Sequence, residues 1–169
     1  MDNHTQNWVV LKFGGTSVKS LADWRVISKR IADVQAEGKR VFVVHSAVAT
    51  ISDLLDTLVT RAVAGEGEAE LAAIKARHLE LATELGVEGE ALLAPYFDEL
   101  DRLRAGLSLT GDVSPRLKAR IMAQGELMAT TLGQAWLARE GVASAWLDAR
   151  DHLAAGQPLS RLLVPPPDR

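Results

Sequence analysis

Three short stretches of this chain hold residue types that can do chemistry. The first is Lys12-Phe13-Gly14-Gly15-Thr16-Ser17. Glycines let a backbone approach a ligand closely, and their N–H groups can point at anionic oxygens. A lysine beside them adds a full charge and three donors. Together these could hold a phosphate and stabilise charge during its transfer. The spacing is neither G-x-x-x-x-G-K-[ST] nor G-x-G-x-x-G. A plain strand-to-helix turn with a snorkelling lysine is the competing reading. The second stretch runs from Ser46 to Asp53 and is small and hydroxyl-rich. There Ser52 could cap a helix or bind a substrate carboxylate. The third is Gln124-Gly125-Glu126. Glycine inside a helix costs on the order of 1 kcal/mol against alanine, which suggests close packing or ligand approach. Glu126 could bind an amine, or be a solvated helix glutamate beside a packing glycine.

The elements around these stretches follow from periodicity. Residues 8–13 are an apolar, β-forming run that Gly14-Gly15 ends, which predicts a strand. Leu21, Trp24, Ile27, Ile31 and Val34 recur at helical spacing, with Gly38 as a stop. Residues 41–44 read as a second buried strand. A helix then begins near Ser52-Asp53 and turns Leu54, Leu55, Leu58, Val59 and Ala62 inward. Strand, helix, strand, helix implies a parallel sheet with crossover helices. Ligands of such sheets bind beyond the carboxyl ends of the strands, where both small-residue turns would lie.

Further on, helices are predicted over 67–85, over 89–105 with Pro95 as a break or first-turn residue, and over 114–140. The last opens at Ser114-Pro115, a cap and first-turn pair. Residues 142–147, VASAWL, read as a third strand. PLSRLLVPPPDR holds four of the six prolines and reads as a linker or cut end. The expected fold is therefore α/β, a small parallel sheet with crossover helices and a helical insertion. Its parts are a tail over 1–7, a domain portion over 8–157 and a proline-rich end over 158–169.

Bulk properties narrow the function. The 169 residues fit one domain, and a net charge of −3 offers no general pull toward nucleic acid or anionic lipid. The absence of cysteine excludes disulfides and thiolate chemistry and suits the cytoplasm. No apolar run approaches the roughly 20 residues of a membrane helix. His4, His45, His78 and His152 are scattered without ligand spacing, so no metal site is expected. The helical block offers a surface for a homodimer, although an amphipathic helix more often packs on its own domain.

The three stretches, in this order, resemble aspartokinases, of the amino-acid kinase family. VVLKFGGTSV is similar to that family's N-terminal signature. VFVVHSAVATISDLL resembles its second strand and substrate loop, V-V-S-A-x-x-G-x-T-[ND]-L-L. SPRLKARIMAQGELMATTLGQAWLAREGVASAWLDAR resembles the segment that carries its G-E motif and a strand ending in D-A. The resemblance spans residues 8–150. It implies ATP-dependent phosphorylation of the L-aspartate side-chain carboxylate, the first step toward lysine, threonine and methionine, with Mg²⁺ carried by the nucleotide.

By position in these motifs, Lys12, Phe13, Gly14 and Gly15 match the ATP-phosphate element, with Lys12 bridging the transferred group. Ser46 and Ser52 match substrate-loop positions. Glu126 matches the glutamate that holds the α-ammonium of aspartate. KFGGTS and QGEL favour aspartate over kinases acting on other amino acids such as glutamate. Thr50 stands where the family has glycine, and it cannot take a glycine-only backbone shape cheaply. Aspartokinases also continue well past this length, so the resemblance implies an incomplete catalytic domain. The missing half carries most of the adenosine site and commonly regulatory ACT domains; some members are fused to diaminopimelate decarboxylase. The alternative is a truncated, non-catalytic homologue that serves as a binding or interaction module.

Overall fold

The computed structural model describes residues 7–152. The expected proline-rich end and nearly all of the N-terminal tail lie outside them. Strand β1, Trp8–Phe13, leads through a 3-10 turn at Gly15–Ser17 into α1, Leu21–Ala36. Ser20 caps α1: its hydroxyl accepts from the Asp23 N–H at 3.3 Å. Strand β2, Arg40–His45, then lies parallel to β1, with Trp8 opposite Arg40 and Phe13 opposite His45. The apolar face of α1 explains the crossover, because Trp24, Ile27, Ile31 and Val34 are its buried residues.

Four helices follow: α2 (Ile51–Val63), α3 (Glu68–Leu85), α4 (Gly89–Thr110) and α5 (Pro115–Arg139). Helix α2 packs against α3, α4 and α5, and these helices also touch one another. Leu55, Leu58, Ile74, Leu81, Leu93, Leu100, Leu107 and Ile121 are fully buried among them. Arg139, at the end of α5, ties this end to α3. It donates to the Leu85 carbonyl at 2.9 Å and to the Gly86 carbonyl at 2.6 Å. A short turn of helix, α6, covers Ala149–His152.

The α/β class and the parallel pairing agree with the sequence reading, while several boundaries differ. Residues 142–147 are not a strand. Their β-type pattern finds no neighbouring strand among the described residues. Side chains hold the segment along α5 instead: Trp146 Nε1 donates to Thr130 Oγ1 at 2.9 Å, and Gln134 Nε2 to the Ser144 carbonyl at 3.4 Å. The described sheet thus has two strands, not three. Pro95 neither breaks nor starts α4, which continues to Thr110 and ends on Gly111 at φ +64°. Helix α2 starts at Ile51, so Ser52 is its second residue and not its cap.

The sheet is also less buried than its composition suggests. Val10, Phe42 and Val44 are 64%, 39% and 41% exposed. The register puts Val10 opposite Phe42 and Lys12 opposite Val44, so all four share the outward face. Val41, Val43, Leu11 and Phe13 occupy the other face and pack on the core.

Candidate functional site

The two small-residue turns meet beyond the carboxyl ends of β1 and β2. Backbone hydrogen bonds join them: Ser46 N–H donates to the Phe13 carbonyl, and Ala49 N–H donates to the Gly15 carbonyl, both at 3.2 Å. The contact leaves no room at Gly15. A Cβ there would stand 2.6 Å from the Ala47 carbonyl oxygen. Gly14 differs, since its φ is −80° and a Cβ would meet nothing within 4 Å. One glycine of the pair is therefore required for loop-to-loop packing, and the other borders open space.

Glu126 joins the same corner from α5. Its Oε1 accepts from the Ala47 N–H at 3.3 Å, bridging 79 positions in sequence. Gly125 makes that approach sterically feasible. A Cβ at Gly125 would lie 2.8 Å from the Ala47 methyl and 3.1 Å from both Ile51 Cγ2 and Leu55 Cδ1. The helix glycine thus serves close packing of α5 on the start of α2. Two turns later Gly133 allows close packing of α5 on α1, where its bare face receives the Trp24 ring.

Lys12 is exposed, two residues before Gly14, on the outward face of the sheet. Among the described residues it has no ion-pair partner. Ser46 is half-buried in the joined turns, and Ser52 is exposed on the first turn of α2. The helix before it opens on Thr50, whose φ of +74° makes it the one non-glycine residue with positive φ among those described. Thr50 makes no side-chain cap bond. So threonine does adopt the left-handed shape at this turn, at a conformational cost of about 1–2 kcal/mol.

Sequence reasoning passed over His45, which the structure puts in this corner. It is the last residue of β2 and only 8% exposed. Its ring stands edge-on to Trp24, with centroids 5.2 Å apart and planes at 84°. Nδ1 lies 3.0 Å from the Ser46 carbonyl, an acceptor, so Nδ1 carries the proton. Burial pushes the imidazole pKa down, opposed by the Ser46 hydrogen bond and by the nearby Glu126 carboxylate. The available signal was its place: a polar ring immediately before Ser46, at the end of an otherwise apolar strand.

Among the described residues no group of three His, Cys, Asp or Glu side chains is arranged to hold a metal ion. No helix there is long and apolar enough to cross a membrane.

Comparison with known proteins places this geometry. The Amino acid kinase family model matches residues 7–162. Aspartokinase 2, chloroplastic, of Arabidopsis thaliana is 32% identical over 83% of this chain. An aspartokinase of Chlamydia trachomatis is 35% identical over 73% of it. The chain spans 26% of each of these relatives. E. coli aspartokinase III, solved in complex with aspartate and ADP in its R-state, superimposes with a TM-score of 0.73 at 28% identity. That match covers 85% of this chain and 31% of the solved one. The same enzyme with lysine and aspartate, in its T-state, gives a TM-score of 0.69 at 26% identity. With the Gly14-Gly15 turn, the Ser46 to Ala49 turn and the helix bearing Glu126 joined at one corner, this chain belongs to the amino acid kinase family and is homologous to the aspartokinases.

Proposed function

We propose that this chain is the N-terminal portion of an aspartate kinase catalytic domain, which transfers the γ-phosphoryl group of ATP to the side-chain carboxylate of L-aspartate. One observation carries the reading. Gly14-Gly15, Ser46 to Ala49, and Glu126 come from three distant parts of the sequence, and direct hydrogen bonds join them at the carboxyl ends of two parallel strands. One solved relative, E. coli aspartokinase III, was crystallised with aspartate and ADP.

In this reading each residue has one task. Lys12 places a positive charge where charge builds on the transferred phosphoryl oxygens. The open space at Gly14 lets phosphate oxygens approach the backbone. The Glu126 carboxylate pairs with the α-ammonium of aspartate, and Ser46 and Ser52 offer hydroxyl groups to its carboxylates. An aspartate carboxylate oxygen attacks the γ-phosphorus as the bond to the β,γ-bridging oxygen breaks, so ADP leaves and no proton need move. In this reading Mg²⁺ enters with the nucleotide.

Two measurements test the proposal. Calorimetry on this chain should detect ADP or aspartate, and Lys12→Ala should weaken the nucleotide while Glu126→Gln weakens aspartate. A longer parent protein should form aspartyl phosphate from ATP, Mg²⁺ and aspartate, and added hydroxylamine should trap it as the hydroxamate with release of phosphate. A folded parent without that activity would sink the kinase reading. A folded chain that binds neither ligand would favour a non-catalytic interaction module.

A further inference from the structure

His45 stands one residue before the turn that carries Ser46, and the phosphoryl transfer outlined above gives it no task. Its hydrogen bond suggests one. The peptide unit between Ser46 and Ala47 is held from both sides. Its carbonyl accepts from His45 Nδ1 at 3.0 Å, and its N–H donates to Glu126 Oε1 at 3.3 Å. In a trans peptide these two groups point in opposite directions. The imidazole and the carboxylate therefore grip opposite sides of one peptide plane. Turning that plane would break both bonds. It would also orphan the N–H of Ala47, a residue only 3% exposed.

The imidazole is itself braced. Its ring lies edge-on to Trp24, whose Nε1 donates to the Val18 carbonyl at 3.2 Å and whose ring fills the bare face of Gly133. The donor is thus presented by a ring wedged between α1 and α5, not by the turn itself. A hydrogen bond to the carbonyl also polarises the peptide and strengthens its N–H as a donor. On the far side, the Ala47 N–H takes one oxygen of Glu126. That leaves Oε2, on an exposed residue, for a ligand cation.

We infer that His45 is a positioning residue for substrate binding: acting through the Ser46–Ala47 peptide, it holds the Glu126 carboxylate in place for the α-ammonium of aspartate. The identity of that ammonium rests on the kinase reading above, whereas the link from imidazole to peptide to carboxylate rests on geometry alone. The Nδ1–H donor carries the role. A ring that merely filled the end of β2 would pack on Trp24 equally well without it.

Three substitutions in the full chain separate the donor from the ring. His45→Phe keeps an aromatic ring against Trp24 and loses the donor. His45→Asn gives up the ring but keeps an N–H donor, on Nδ2, as many bonds from the backbone as Nδ1. His45→Leu has the branching of His45→Asn and no donor. The first readout needs no ligand: the Ala47 amide proton, followed by NMR, reports its bond to Glu126. That proton should stay close to wild type in His45→Asn. In His45→Phe and His45→Leu it should move upfield and exchange with solvent about tenfold faster. The second readout is calorimetry. Aspartate should bind about tenfold more weakly to His45→Phe and His45→Leu than to wild type or His45→Asn, as for one lost hydrogen bond. ADP affinity should stay within about twofold throughout. An Ala47 amide indifferent to both donor-free substitutions overturns the inference, and so does His45→Asn behaving like His45→Leu. Aspartate affinity that holds while the amide moves overturns it too. A wild-type chain that binds no aspartate, with the amide responding as stated, refutes the kinase reading and leaves the link from His45 to Glu126 standing.

Discussion

His78 should make this protein acid-labile well above the range in which carboxylates titrate. The side chain has no solvent exposure and sits in the packed helical block. Its Nδ1 donates to the Ile74 carbonyl at 2.8 Å, and its Nε2 has no partner among the described residues. Burial, with a smaller contribution from the nearby Arg77 charge, pushes its pKa down from 6.5 to about 4, against the Ile74 hydrogen bond. The unfolded chain therefore binds a proton that the folded chain refuses between those two values. The stabilisation is present above pH 6.5, declines as pH falls and is gone below pH 4. The shift of about 2.5 pH units converts to roughly 3 kcal/mol. His45, shifted in the same direction by burial, adds to the loss.

Removing only His78 isolates its share. His78→Leu deletes the titrating ring together with one made and one unmade hydrogen bond. Its stability at pH 7 should therefore stay within about 1 kcal/mol of wild type. At pH 4 the variant should be the more stable of the two by roughly 3 kcal/mol. Urea unfolding followed by tryptophan fluorescence at pH 7, 6, 5 and 4 measures this. The wild-type midpoint should fall below the variant's by on the order of 1–2 M at the acid end. If the two chains lose stability in parallel from pH 7 to pH 4, the reasoning about His78 is wrong.

The two signature glycines should separate folding from binding. Gly14→Ala meets no atom and keeps an ordinary φ, so stability should hold or rise by up to about 1 kcal/mol while nucleotide binding weakens. Gly15→Ala drives a methyl onto the Ala47 carbonyl and should cost about 1–3 kcal/mol in the same urea assay; the opposite ranking would contradict the loop contact. Thr50→Gly relieves the left-handed strain, partly offset by chain entropy, and should stabilise by roughly 0.5–1 kcal/mol. A lower melting temperature for that variant would show that Thr50 is not strained. Gly133→Ala should be among the most damaging single-methyl additions, because the added carbon falls inside the Trp24 ring; a native-like melting curve would refute that packing.

Much of this was readable in advance where one face of an element is apolar. The α1 stripe from Trp24 to Val34 and the Ser114-Pro115 start of α5 needed only periodicity and cap chemistry. The 142–147 segment misled because β-forming composition cannot say whether a partner strand exists. Pro95 misled because packing of α4 against α2, α3 and α5 keeps the helix continuous despite one missing N–H. At the site, the three motifs and the shared edge of the two turns were visible, but the arrival of Glu126 there was not. Contact between Ala47 and Glu126 depends on Gly125 packing against Ile51 and Leu55, which is a tertiary fact. His45 was hidden for the same reason, since Trp24 and Glu126 reach it only in the folded chain.

The joined turns do not rest on equal supports. Ala47 and Glu126 are clamped between α2 and α5, inside the block where α2 touches three other helices. Lys12, Gly14 and Gly15 extend from the two strands present among the described residues, whose outward Val10, Phe42 and Val44 are exposed. Local opening should therefore be asymmetric. Amide protons of these strands should exchange with solvent while those of α2 and α5 remain protected, so the glutamate side of the corner persists when the lysine side is transiently released.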